Sequence, residues 1–64
     1  MHQVFVITDI DGNTLNVCSS VELAEQKCRI RYTDSVIISS IVEGVYQVSL
    51  NDMIVGYIEV WEVE

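Results

Sequence analysis

The stretch Val36–Val63 reads VIISSIV EG VYQVSL ND MIVGYIEVWEV and decides the fold. Three runs rich in Val, Ile and aromatic residues are separated by Glu43-Gly44 and Asn51-Asp52, two-residue breaks of the kind tight hairpin turns use. The spacing predicts a three-stranded meander over Val36–Val42, Val45–Leu50 and Met53–Val63, with Gly56 a candidate bulge. The most economical pairing sets Val42 opposite Val45 and Leu50 opposite Met53. Alternation then gives one face Ile37, Ile41, Tyr46, Val48, Leu50, Met53, Val55 and Tyr57. The other face takes Val36, Ile38, Val42, Val45, Ile54, Ile58 and Val60.

Upstream, Gln3–Thr8 (QVFVIT) is β-branched and aromatic, a strand covered at least in part on both faces. Asp9–Asn13 is a turn, with Gly12 or Asn13 suited to positive φ, and Thr14–Cys18 returns to complete a hairpin. Ser19-Ser20-Val21-Glu22 then matches a capping box, with Ser19 as N-cap and Glu22 at N3. It predicts a helix from about Ser20 to Arg31 or Tyr32. Val21, Ala24, Cys28 and Tyr32 share one face of that helix. The expected fold is α+β in the order ββαβββ, an antiparallel sheet with one helix packed on one face.

One amphipathic helix covers one sheet face, and the face with Tyr46, Val48 and Tyr57 suits it better. Val36, Ile38, Ile54 and Ile58 then remain on a face too apolar for solvent. Three coverings fit: the first hairpin or a curled sheet, a second copy making a homodimer, or a captured partner.

A chain of 64 residues accommodates one domain and one core. Cys18 and Cys28 flank and enter the predicted helix, and ten residues of mostly helical rise separate them by roughly 13–15 Å. A disulfide needs Cα atoms within about 7 Å, so both are expected as buried thiols. Met1-His2-Gln3 carries no basic leader, and no apolar run approaches the ~20 residues of a membrane span. The reading is a cytoplasmic protein with no membrane partner.

Ten acidic residues against three basic ones give a formal net charge of −7. Lys27, Arg29 and Arg31 lie within five residues, late in the predicted helix, where they complement its dipole. A surface otherwise negative or neutral repels nucleic acid and favours a basic protein surface as partner.

Val4–Leu15 (VFVITDIDGNTL) resembles the first signature of the haloacid-dehalogenase phosphatases, a strand followed by Asp-x-Asp-Gly-Thr-Leu. That resemblance would make Asp9 the nucleophile and Asp11 the general acid. Asn13 breaks the spacing, however, and one lysine on the only helix cannot supply the rest of that machinery. Asp9, Asp11 and Asn13 also resemble the opening of an EF-hand loop, but Thr14 and Ser20 stand where Gly and Glu are needed. His2 is the single histidine, so no catalytic histidine set forms. The sequence predicts no catalysis, no cofactor and no dedicated metal site.

Three function classes follow: an acidic inhibitor of a basic, often nucleic-acid-binding, surface; an adaptor using a sheet face or edge; and a small-ligand or metal-binding protein. In size, acidity and lack of catalytic residues the chain resembles the small accessory proteins that bacteriophages encode against host enzymes and defence systems, anti-CRISPR proteins among them. The resemblance implies stoichiometric inhibition of a host complex, with carboxylates mimicking nucleic-acid charge. In the pairing above, Glu43, Glu59, Glu62 and Glu64 gather around Trp61 at one end of the sheet. These five residues are the expected partner-binding site. Val36, Ile38, Ile54 and Ile58 are the expected self-association face.

Overall fold

In the computed structural model, which describes residues 2–63, the elements run β1 (His2–Asp9), β2 (Thr14–Cys18), α1 (Val21–Arg31), β3 (Ile37–Val42), β4 (Val45–Leu50) and β5 (Met53–Val63). The sheet order is β2-β1-β5-β4-β3, with every neighbouring pair antiparallel. The α+β architecture in the order ββαβββ is thus the one its sequence suggests. What joins the hairpin to the meander is the pairing of β1 with β5, from His2↔Val63 to Asp9↔Gly56. These are the two longest strands, so their ladder satisfies the most backbone groups at the sheet's centre.

The helix starts one residue later than the capping box implies. Ser20, not Ser19, is the N-cap, and its Oγ accepts from Leu23 N at 3.2 Å. Glu22 consequently occupies N2 and complements the dipole without closing a reciprocal box. The helix lies over β1 and β2 and buries Ala24 and Cys28 against them. Ile7, Cys18, Val36, Val48 and Ile58 complete the core, with Phe5, Leu15, Tyr32, Ile38, Tyr46, Leu50 and Val55 packed around it. At the far end of the helix, the Tyr32 hydroxyl donates to the Val55 carbonyl at 3.4 Å.

Both expected turns are present. Asn51 and Asp52 have φ of 53° and 65°, the two positive values that a type I′ hairpin requires. Pairing next to the turns is also as expected, Val42↔Val45 and Leu50↔Met53. Beyond each turn the register then slips by one. Ile41 is an extra residue between Ser40 and Val42, and Val55 is extra between Ile54 and Gly56. Because side chains alternate with a period of two, one extra residue exchanges the faces of everything beyond it.

That exchange corrects the expected faces. Tyr46 pairs with Ile58, not with Tyr57. Ile58 is 0% exposed and Val36 7%, while Ile38 is half-buried against the core. All three therefore belong to the helix side. Tyr57, assigned to the helix side by simple alternation, pairs with Gln47 and Thr8 on the opposite face. Among the described residues, no helix is long and apolar enough to cross a membrane.

Candidate functional site

The Asp9–Asn13 loop, the segment richest in apparent chemistry, is organised around its own first carboxylate. Asp9 Oδ1 accepts from Asp11 N at 3.0 Å and from Asn13 N at 2.9 Å, and Oδ2 accepts from Asn13 Nδ2 at 3.1 Å. Gly12 supplies the positive φ of 88° that lets the chain turn beneath it. Aspartate at the start of a turn commonly bonds the backbone ahead of it. Here that habit engages both oxygens. Among the described residues, no three His, Cys, Asp or Glu side chains are placed to hold a metal ion.

The same bonds, led by the Asn13 backbone N–H and then its side chain, hold the Asp9 carboxyl below its ordinary value of 3.8. A carboxyl lowered by folding stabilises the native state above its unfolded pKa, and the contribution is lost as pH falls through the folded pKa. The Asn13 amide resonance should accordingly titrate with Asp9, with a midpoint below 3.8. Nuclear magnetic resonance reads this directly. In Asp9→Asn, Asn13 should show no such titration.

Of the expected acidic end, Glu43 and Glu62 come together while Glu59 and Trp61 lie apart from them. Glu43 and Glu62 line an open cleft of about 360 Å³ on the helix side, with Gln3, Phe5, Val21, Tyr46 and Val60. Gly44 O accepts from Val60 N at 2.8 Å, which fixes the Glu43-Gly44 turn beside β5. Continuing the Leu50↔Met53 pairing without a bulge would set Gly44 opposite Glu59, one residue earlier, and the Val55 bulge accounts for the difference. Glu64 lies outside the described residues.

Glu59 and Trp61 face the other way, and Trp61 Nε1 donates to Glu59 Oε1 at 3.1 Å. Across the sheet, Val17 pairs with Val6, Val6 with Glu59, Glu59 with Val45, and Val45 with Val42. One carboxylate thus sits mid-row among four valines, on the face no helix covers. Strand alternation also places Tyr57 and Trp61 on either side of Glu59 along β5. Simple periodicity missed this row because it depends on the Val55 bulge and on the long-range β1–β5 pairing.

The expected self-association residues do not form a surface. Val36, Ile38 and Ile58 pack in or against the core, and only Ile54, 43% exposed, is left at the surface on the opposite side. Cys18 and Cys28 are free and buried, and burial pushes the Cys28 thiol up, with the neighbouring Cys18 adding to the effect. Arg29 meets Glu25 at 3.9 Å on the exposed helix surface, a contact of little energetic weight. No family model, curated protein or solved structure matches this chain.

Proposed function

We propose that the protein is a small acidic protein-binding module of the cytoplasm. It occupies a basic, nucleic-acid-binding surface of another protein and inhibits that protein stoichiometrically. The observation that carries this reading is the cleft in which Glu43 and Glu62 accompany Phe5, Tyr46 and Val60. Lys and Arg side chains have an apolar stem and a charged head. Such a side chain would lay its stem on Phe5 and Tyr46 and direct its head to the two carboxylates, with the aromatic faces adding cation–π attraction. All three Lys and Arg residues of the chain belong to α1, and none of them lines this cleft. The net charge of −7 would speed the encounter with a basic partner.

An arginine nonapeptide, standing for the basic surface, gives the test. It should bind the protein, and more weakly as salt rises from about 50 to 200 mM. Glu43→Gln with Glu62→Gln should weaken binding about tenfold at low salt. Glu22→Gln with Asp34→Asn removes the same charge from exposed sites elsewhere, and should change affinity less than about twofold. Equal losses in the two variants would mean that overall charge, not the cleft, attracts the peptide.

A further inference from the structure

We infer that the open sheet face is a docking surface for a partner presenting an apolar patch with one Lys or Arg at its centre, seated on Glu59 between Tyr57 and Trp61. The face lies across the sheet from the Glu43–Glu62 cleft, so the inference stands whether or not the cleft binds basic proteins. Its apolar content is high for a solvated surface. Val17 is 59% exposed, Val42 60% and Trp61 56%, and the half-buried Val6 and Val45 join them through the strand register. Contiguous exposed apolar surface of this kind marks interaction sites.

The position of Glu59 specifies the occupant. Its neighbours across the strands are Val6 and Val45, and along β5 they are Tyr57 and Trp61. Trp61 Nε1 occupies Oε1, whereas Oε2 has no hydrogen-bond partner among the described residues. A wholly apolar partner would strip water from that carboxylate and leave it unpaired, at substantial cost. A partner with a cation at the same point would pair with Oε2 and lie against the indole, with the surrounding valines excluding water. The face therefore discriminates by charge as well as by area.

A second copy of the chain fits less well. In a two-fold, face-to-face pair, stacking the valine rows brings Glu59 against Glu59, and sliding the rows apart to avoid this gives up apolar contact. Nor can such a pair supply a Lys or Arg, because Lys27, Arg29 and Arg31 belong to α1, which packs on the other side of the sheet.

Trp61 is the single tryptophan of the chain, so its fluorescence reports on this face directly. The probe is a helical peptide with a leucine face and one central Arg, compared with the same peptide carrying Gln there. The Arg peptide should shift Trp61 emission to the blue and bind about tenfold more tightly than the Gln peptide. Glu59→Gln, a change at the surface, should remove that preference while the circular dichroism spectrum stays native. Glu43→Gln with Glu62→Gln should leave the preference intact, which separates this face from the cleft. Equal binding of the two peptides by the unmodified protein would overturn the inference, as would no emission change with either. A blue shift and a doubled mass on concentrating the protein alone would instead assign the face to a second copy, and would overturn it too.

Discussion

Gly56→Ala should destabilise the protein by about 2–3 kcal/mol, the upper range for overpacking. A Cβ on Gly56 would overlap the carbonyl oxygen of Thr8, with the Thr8 carbonyl carbon 3.4 Å and the Asp9 Cα 3.6 Å away. These are backbone atoms of β1, held by the Thr8↔Tyr57 and Asp9↔Gly56 pairs, and they cannot swing aside as a side-chain tip could. Relief requires opening the β1–β5 ladder at the point where it joins the bulge. A domain of this size has roughly 3–10 kcal/mol of stability to lose. With a urea slope near 1 kcal/mol/M for a small domain, the unfolding midpoint should fall by about 2 M. An unchanged midpoint would show that β1 does not approach β5 at Gly56.

Ile58→Ala should cost about 3–4 kcal/mol, while Ile54→Ala should cost less than about 0.5 kcal/mol. Ile58 is fully buried on the central strand, opposite Ile7, which is 2% exposed, on one side and Tyr46 on the other. Truncating it leaves a cavity that neighbours on three strands cannot close. Ile54 is on the same strand but beyond the Val55 bulge, at the surface of the opposite face. Unbroken alternation would place the two isoleucines on one face and give them similar costs. Comparing their denaturation midpoints thus tests the bulge itself.

The contrast between these residues also shows what could be read from the sequence. Strand, turn and helix positions rest on local signals: the β-branched runs, Glu43-Gly44 and Asn51-Asp52, and the serines before Val21. These gave all six elements in order. The N-cap slipped by one because Ser19 and Ser20 are chemically equivalent, and only the backbone decides between them. The faces of β3 and β5 were lost for a different reason. A bulge adds a residue to the pairing without altering local composition, so Ile41 and Val55 resemble their neighbours. Gly56 marked the place, but not the resulting change of phase. Of the candidate site, the Glu59–Trp61 contact follows from their separation of two on one strand. Bringing Glu43 and Glu62 together beside Tyr46 required knowing which face each strand shows at its end.

The central position of β5 bears on how the molecule acquires its shape. The strand is flanked by β4, its neighbour in sequence, and by β1, some fifty residues distant. Hairpin contacts within the meander close short loops and form early, whereas joining β1 to β5 closes a loop spanning almost the whole domain and loses more chain entropy. Ile7 and Ile58 meet only when that step is complete, so neither half holds a finished core by itself. Such a topology favours all-or-none folding at the slower rates associated with distant strand pairing. Until the two strands meet, one margin of β5 is an unpaired edge rich in β-branched and aromatic residues. During that interval the chain is most open to pairing with the wrong strand.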